Sequence, residues 1–400
     1  MCTALQVFFC RTSIACINLH SACILFILIG YGNPFPARIP MSKINQQLLA
    51  DRAGISRATV SRCFTNHPGI NPETRATVFR LAAELGYRHM EMRSESKKKM
   101  TTGQTIGVLV CTKVEEYFRP DYQSPGVEIY AGICEYAQLH KLRLDLRYVN
   151  PAEASLSGAS YREIEPLQRR DWSGALLIYP FPRKVVDGLH KLMPVVSLVE
   201  QYVSDPLDCV DVDHFKGISS VINRLYELGH RRIGFYTKEY DVEPGWSYRR
   251  FSAFVEKMRR LQIRVPDEDL INIYPTVFPD LEAGYSHAAK RVRDGVTAWV
   301  CAADHQAYDV MAGLRARGLR IPRDVSVTGF DGIEAPAAEL ELTTVMIPYR
   351  EIGFTGTKRL HDLMRKRFVS PQHILIGSRM REGRTVGRLK NSPRGRSDPS

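Results

Sequence analysis

The chain has 400 residues, of which 44% are hydrophobic and 24% are charged; this balance is typical of a folded soluble protein with a sizeable core, and the length suffices for two or three domains. The net charge of +12 favours a polyanionic partner, and half of the excess lies between residues 41 and 100, where eleven Lys and Arg stand against five Asp and Glu. Nine cysteines without a C-x-x-C pair exclude a spaced zinc site and favour buried free thiols.

The first forty residues are hydrophobic and carry only Arg11 and Arg38 as charges. Their apolar peak, residues 21–31, is shorter than the ~20 residues that a membrane-spanning helix needs. A signal peptide would have a charged segment directly before the apolar run and a clear A-x-A cleavage site after it, and both are missing. We therefore expect segment 1–40 to lie outside the native product, with synthesis starting at Met41; a membrane anchor and an export signal are the alternatives.

Residues 41–90 have the pattern of a helix-turn-helix with a third helix. Asn45 caps a first helix that Gly54 ends, and Ser56 caps a second helix, "RATVSRCF". "INPETRATVFRLAAELGY" predicts a third helix, with Asn71 as its cap and Pro72 at its first position. The second helix has a short, polar and basic outer face, which is a shape that the major groove of DNA admits. A three-helix bundle that binds no nucleic acid is the alternative.

The stretch "LLADRAGISRATVSR…NPETRATVFRLAAELGY" closely resembles the DNA-binding domain of the lactose-repressor (LacI/GalR) family of bacterial regulators. The match runs without a gap from about Ser42 to Tyr87. By position, the resemblance implies that Arg57, Ala58 and Arg62 read bases. It further implies that the phosphate-contacting neighbourhood comprises Ser56, Thr59, Ser61 and Asn66.

The hinge, residues 91–104, departs from the family pattern. The family usually continues with P-N-x-x-A-R-x-L, whose Leu wedges into the minor groove and kinks the operator, but this chain reads "YRHMEMRSESKKK" with Ser96 at the Leu position. Serine cannot unstack a base step as an apolar wedge does. We expect phosphate contacts from the three lysines at 97–99 instead, with a shifted wedge at Met92 or Met100 as the alternative. An operator that is bound without a wedge would be bent less than is usual for the family. The affinity for DNA would fall steeply as the salt concentration rises.

Seven nearly continuous apolar runs follow the hinge, and helix-like segments separate them. Apolar strands that alternate with amphipathic helices indicate parallel α/β sheets covered on both faces. Because this pattern is longer than one ordinary domain, we predict two lobes within 105–390 and a disordered tail over 391–400. The predicted strands are 105–111, 143–149, 174–180, 194–199, 232–237, 297–302 and 324–330.

The segment 105–390 also resembles the effector-binding core of the LacI/GalR family, through "DHFKGISSVINRLYELGHRRIGFY" and "CAADHQAYDVMAGLRARGLRIPRDVSVTGFDG". That core is similar to periplasmic sugar-binding proteins, whose ligand lies between two doubly wound lobes joined by three crossovers. The implied fold class is an N-terminal all-α helix-turn-helix domain followed by a two-lobed α/β periplasmic-binding-protein-like core. The implied lobes are 105–203 with 338–368, and 204–337 with 369–390.

The resemblance implies which residues hold an effector. Arg250 matches a position whose planar guanidinium contacts sugar hydroxyls or a carboxylate, Asp304 matches an acid that accepts from ligand groups, and Phe118 matches an apolar or aromatic wall. Asp331, in a "GFD" turn, is expected to be structural. A helix-surface role for Arg250 and a helix N-cap role for Asp304 are the alternatives. Weaker candidates for the wall are Tyr117, Trp246 and Phe278.

The sequence contains no glycine-rich phosphate loop, no G-x-S-x-G elbow and no H-E-x-x-H motif, so no catalytic residues, metal or cofactor are expected. The leading hypothesis is a cytoplasmic regulator of transcription, most often a repressor in this family. Its expected partners are a double-stranded DNA operator, a small-molecule effector and a second copy of the chain, with no membrane. An extracytoplasmic solute-binding protein is the main alternative, which residues 42–87 oppose, and an α/β enzyme is a third.

Overall fold

The computed structural model describes residues 45–64, 69–84, 104–112, 124–202, 206–238, 240, 242, 244–273, 277–278, 280–334, 339–368 and 370–389. The expectations for segment 1–40, for Asn66, for Tyr117 and Phe118, for the hinge lysines and for the tail lie outside these residues and stay predictions. None of the helices in the described ranges is long and apolar enough to cross a membrane.

The first three helices are α1 (Gln46–Ala53), α2 (Arg57–Phe64) and α3 (Pro72–Glu84). The predicted caps of the first two helices form: Asn45 Oδ1 accepts from the Leu48 amide at 3.0 Å, and Gly54, at φ 64°, ends α1 in the left-handed conformation. Ser56 Oγ accepts from the Thr59 amide at 3.0 Å and caps α2.

The three helices share a small apolar core of their own. Its fully buried members include Leu49 from α1, Val60 from α2 and Val78 from α3. Leu48 of α1 is only half-buried. Because this core uses the inward face of α2, the opposite face of that helix remains available at the surface.

Residues 104–389 alternate strands with helices, as the sequence predicted. All seven predicted strands are present, with ends that differ by two residues at most. One 3₁₀ turn, Asp267–Asp269, precedes the shortest strand. The elements are β1 (Thr105–Cys111), α4 (Pro125–Leu139), β2 (Arg143–Val149), α5 (Ala159–Arg162), α6 (Glu165–Gln168), β3 (Gly174–Ile178), α7 (Arg183–Leu192), β4 (Val195–Leu198), β5 (Asp208–Val212), α8 (His214–Glu227), β6 (Ile233–Tyr236), α9 (Gly245–Arg260), β7 (Leu270–Ile271), α10 (Leu281–Arg293), β8 (Ala298–Cys301), α11 (Asp304–Ala316), β9 (Ser326–Asp331), β10 (Thr343–Met346), α12 (Tyr349–Met364), β11 (His373–Ile376) and β12 (Arg379–Arg381).

The strands form two six-stranded sheets, one in each lobe. The first sheet has the order β11-β5-β4-β3-β1-β2 and is parallel throughout. The second has the order β12-β10-β9-β8-β6-β7 and is parallel except for β12 at its edge. In parallel sheets of this kind a ligand site is expected beyond the carboxyl ends of the strands.

The chain passes between the lobes three times: between β5 and α8, between β10 and α12, and between β11 and β12. The predicted lobe boundaries were therefore wrong, since each crossover lies later in the chain than 203, 337 or 368. The cause is that β5 contains Asp208 and Asp211 and lacks the continuous apolar run of the predicted strands, although it is buried inside the first sheet. The short strands β7, β10, β11 and β12 were missed for the same reason of weak local pattern.

Helix α12 packs closely on α4 in the first lobe. A Cβ on Gly132 of α4 would overlap the Arg350 carbonyl oxygen, and a Cβ on Gly353 of α12 would overlap the Ile129 carbonyl oxygen. Glycine at both positions therefore allows the two backbones to touch. This contact fixes the start of α12, which carries Tyr349 to the boundary between the lobes.

Candidate functional site

The outward face of α2 carries the side chains that were predicted to contact DNA. Arg57, Ala58 and Arg62 are exposed, and Ser61 is half-buried at the edge of the same face. The Ser56 and Thr59 hydroxyl oxygens lie 2.8 Å apart at the start of the helix. Two guanidinium groups and small hydroxyl side chains on a short exposed helix give the shape and charge that suit a major groove.

A cavity of about 290 Å³ lies between the lobes, where the carboxyl ends of strands from both sheets meet. This volume is at the lower end of the ~300–1,000 Å³ of ordinary ligand sites, so it suits a small molecule. Its wall includes four large aromatic side chains and six polar or charged ones: Tyr179, Tyr240, Trp246, Tyr349, Thr112, Ser124, Asp211, Arg250, His305 and Asp331.

Arg250, from α9, is the charged centre of the wall and is only 4% exposed. Its Nη1 donates to the Ala302 carbonyl oxygen at 2.5 Å and to Asp331 Oδ1 at 3.2 Å. The guanidinium carbon lies 4.5 Å from the centre of the Trp246 ring and 4.0 Å from that of Phe330. The buried charge is thus compensated by one carboxylate and two aromatic faces.

Asp331 lies at the end of β9, where its carboxylate forms part of the cavity wall. Oδ1 also accepts from the Tyr349 hydroxyl at 3.0 Å, so the carboxylate joins the second lobe to α12 of the first. Burial raises the pKa of Asp331, and the neighbouring Arg250 charge opposes that rise. Asp331 was expected to be structural, whereas it lies beside Arg250 in the cavity wall.

Asp304 does not line the cavity, although it was the predicted ligand acid. It is fully buried, and its carboxylate accepts from the Gly332 and Ile333 amides, both at 2.8 Å, and from Thr344 Oγ1 at 2.5 Å. Burial and repulsion by Asp331 raise the pKa of Asp304 to about 7. These bonds hold the turn after β9, so Asp304 shapes the site from behind the wall.

The other predicted wall residues also separate. Trp246 lines the cavity, as expected, whereas Phe278 packs against His287 with a ring-centroid distance of 5.0 Å and does not line it. Four further residues of the wall were not predicted: Asp211, Tyr179, Tyr240 and Tyr349. A usable signal was present for Tyr179, which lies at the end of a predicted strand, at the edge where parallel sheets bind ligands.

Three residues of the cavity wall have a strained backbone conformation. Tyr179, Val199 and Asp331 all line the cavity and all have positive φ, at 73°, 60° and 146°. A β-branched residue such as valine rarely adopts this conformation, which costs roughly 1–3 kcal/mol. Each of these residues lies at a strand end, so the strained backbone turns side chains towards the space between the lobes.

A second group of hydrogen-bonded polar side chains lies at the wall on the side of the first lobe. Asp211, at the end of β5, accepts from Gln201 Nε2 and lies 2.9 Å from His214 Nε2. Nearby, Glu200 accepts from the Trp246 amide at 3.4 Å, and burial together with the Asp211 charge raises the pKa of Glu200 to about 7. The cavity wall thus contains hydrogen-bond donors and acceptors but, among the described residues, no group of three His, Cys, Asp or Glu that could hold a metal ion.

Two family models match the chain. The one described as "Bacterial regulatory proteins, lacI family" matches residues 49–89, which include α2 and α3, and the one described as "Periplasmic binding protein-like domain" matches residues 222–386. The HTH-type transcriptional repressor MelR of Bacillus subtilis (strain 168) is 27% identical over 347 residues, which are 82% of this chain and 93% of MelR. The chain belongs to the LacI family of bacterial regulatory proteins.

Solved structures share the fold of this LacI-family chain. The lac repressor dimer bound to operator and the anti-inducer ONPF has a TM-score of 0.57 and 21% identity, over 86% of this chain and 99% of that one. The transcriptional regulator CelR–cellobiose complex has a TM-score of 0.55 and 21% identity, over 86% of this chain and 100% of CelR. The LacI-family chain is therefore a DNA-binding regulator and not an enzyme, with a helix-turn-helix region followed by a two-lobed core.

Replacing Arg62 by Ala tests base readout by α2. A guanidinium can donate two parallel bonds to guanine, which is worth roughly 1–3 kcal/mol of discrimination, so Arg62→Ala should relax the preference at one base per half-site. The measurement is selection from a randomised DNA pool, followed by affinities for the selected sites. Arg80→Ala, an exposed arginine of α3, is the control and should leave the ranking of sequences unchanged. Equal losses of affinity for selected and for random DNA in Arg62→Ala would contradict the assignment of base readout to Arg62.

Replacing Asp304 by Ala tests its role behind the wall. The change leaves the half-buried Gly332 amide and the buried Ile333 amide without their acceptor, at a cost of roughly 1–3 kcal/mol for a buried group. We therefore expect a lower free energy of unfolding in urea, whereas Asp309→Ala, an exposed residue of the same helix, should change it little. An Asp304→Ala chain as stable as the parent would show that these bonds contribute nothing.

Proposed function

We propose that this LacI-family chain is a cytoplasmic repressor that binds its operator as a homodimer through α2, and that a sugar or a related small metabolite between the lobes sets its affinity for DNA. The observation that carries the effector proposal is the pairing of Arg250 with Asp331 in the cavity wall at 3.2 Å. The pair presents donors and an acceptor side by side, which matches the hydroxyl groups of a sugar. The complex of CelR with cellobiose supports the same class of ligand.

The aromatic part of the wall supports a ring-shaped ligand. Trp246 and Tyr240 pack edge to face with ring centroids 5.6 Å apart, and Trp246 is half-buried. An aromatic face packs well against the apolar C–H face of a sugar ring, while neighbouring polar groups fix its orientation. An acyclic or purely ionic ligand would leave this surface unused.

The cavity can influence DNA binding because both lobes contribute to its wall. Tyr179 and Asp211 come from the first lobe, whereas Trp246, Arg250 and Asp331 come from the second. A ligand that contacts both lobes stabilises one arrangement of them over another, and a two-fold dimer transmits such a change to its two α2 helices. We assign effector binding to Arg250, Asp331 and Trp246, and we place Asp304 outside the ligand's direct contacts.

A solute-binding protein outside the cytoplasm could use the same cavity. It would have no use for a helix-turn-helix with an exposed basic face, and the lacI family match includes α2 and α3. The regulator is therefore favoured over that alternative.

Two substitutions in the wall test the proposed effector site. Arg250→Ala and Asp331→Asn should remove the effect of the sugar on operator binding, because a ligand shifts an equilibrium only through contacts that differ between two states. The measurement is fluorescence anisotropy of a selected operator, titrated with and without D-ribose, D-glucose or cellobiose. Arg259→Ala, an exposed arginine of the same helix, is the matched control and should respond to sugar like the parent. A full sugar response in Arg250→Ala and Asp331→Asn would refute the site.

A further inference from the structure

His214 connects an anion of the first lobe to a cation of the second. It begins α8, directly after the first crossover, and is 5% exposed. One ring nitrogen, Nε2, lies 2.9 Å from Asp211 Oδ2, and the other, Nδ1, accepts from Arg250 Nε at 3.3 Å. A single imidazole thus holds the guanidinium that we assign to the effector.

These two contacts define the protonation state of the ring. A guanidinium Nε–H can only donate, so Nδ1 must present its lone pair, and an ionised carboxylate can only accept, so Nε2 must carry the hydrogen. The neutral Nε2–H tautomer satisfies both partners. A doubly protonated ring keeps its bond to Asp211 but places an N–H and a positive charge against Arg250, where the lone pair had been.

Loss of the Nδ1 contact would change the cavity wall. The remaining polar bonds of Arg250 go to the Ala302 carbonyl oxygen and to Asp331, and repulsion from an imidazolium would act directly on Nε. The guanidinium stacks over Trp246, so a shift of Arg250 also changes the environment of that indole.

We propose that His214 is a positioning residue for Arg250, and that protonation of its imidazole displaces the guanidinium and weakens effector binding as the pH falls. The inference rests on the proposed function, because it concerns the regulation of the same cavity. The geometry fixes the direction of the pH effect, because the neutral ring accepts a hydrogen bond from Arg250 and the charged ring repels it.

Several charged groups surround this pair and must be separated from it. Asp211 faces the His214 ring from β5, and Arg250 faces it from α9. Asp331 of β9 contacts Arg250 and not the ring. The Phe330 ring, whose centroid is 5.9 Å from that of His214, is apolar. Burial acts to raise the pKa of Asp211, but attraction to His214 and the hydrogen bonds to its carboxylate hold that pKa below its usual range. Asp211 therefore stays ionised at the pH values of the test below.

Two further groups contact Trp246 or its neighbour. Glu200 accepts from the Trp246 amide, and its pKa is raised to about 7 by burial and by Asp211. His305 Nε2 lies 2.9 Å from the Tyr240 hydroxyl, and Tyr240 packs on Trp246. The variants Glu200→Gln and His305→Gln are therefore needed beside His214→Asn.

The test is nuclear magnetic resonance on the full chain with ¹⁵N-labelled His and Trp, assigned with His214→Asn and Trp246→Phe. We expect His214 at pH 8 to carry hydrogen on Nε2 and a lone pair on Nδ1. As the pH falls to 5, the Trp246 indole signal should shift with the same midpoint as the His214 ring. That shift should vanish in His214→Asn and persist in Glu200→Gln and His305→Gln, with Trp172 and Trp299 as internal references.

Hydrogen on Nδ1 at pH 8 would overturn the proposal, and so would a Trp246 transition that survives His214→Asn or disappears only in Glu200→Gln or His305→Gln. A second readout is the affinity for D-ribose, D-glucose and cellobiose between pH 5 and 8. For a sugar that binds, the parent should lose up to about tenfold in affinity per pH unit below the midpoint, whereas His214→Asn should be flat. Failure of all three sugars to bind at any pH would count against the proposed effector class, while the resonances would still decide the role of His214.

Discussion

A guanidinium group buried between two lobes is the constraint on which the candidate site depends. Arginine cannot give up its proton in a protein, so a buried Arg250 keeps its charge and must be compensated in place. Asp331, the Ala302 carbonyl oxygen and two aromatic faces provide that compensation. Removing one partner from such a pair typically costs ~3–5 kcal/mol, because the other charge is left uncompensated. The elements that carry these groups are therefore fixed relative to one another.

The same constraint links the lobes. Tyr349 of the first lobe donates to Asp331, and Asp211 of the first lobe contacts His214, so Arg250 is tied to the first lobe at two crossovers. A sugar that bonds to Arg250 or Asp331 competes with these contacts and changes which arrangement of the lobes is stable. The positive φ values at three strand ends in the wall fit a site in which strain is held by surrounding structure. Binding energy in the cavity is thus connected to the geometry of the whole core.

Much of this architecture was predictable from local pattern. The helix caps at Asn45 and Ser56, the inward residues of α1 to α3 and the seven apolar strands follow from side-chain chemistry that acts over a few residues. Strand β5 was not predictable in the same way, because it contains two aspartates, and the partner of Asp208 is Arg359, 2.5 Å away in space but far away in sequence. Because β5 belongs to the first lobe, the first crossover lies after Val212 rather than after residue 203.

The two aspartates at the site show a second limit of sequence reasoning. Asp304 and Asp331 both follow strands at the ligand-binding edge, so their position alone does not tell which carboxylate faces the cavity. Which carboxylate faces the cavity depends on the turn after β9. The Gly332 and Ile333 amides of this turn donate to Asp304, and Asp331 lies beside Arg250. Tyr240, Tyr349 and Asp211 were missed because three-dimensional convergence, rather than any motif, brings them together.

Compensation of Arg250 by Asp331 is tested most directly by a double-mutant cycle on the free energy of unfolding, with Arg250→Met, Asp331→Asn and the two combined. If the pair compensates a buried charge, each single change should be strongly destabilising, and the combined change should cost ~2–3 kcal/mol less than the sum of the two. Additive costs, within about 0.5 kcal/mol, would show that the two groups do not depend on one another and would contradict this view of the site.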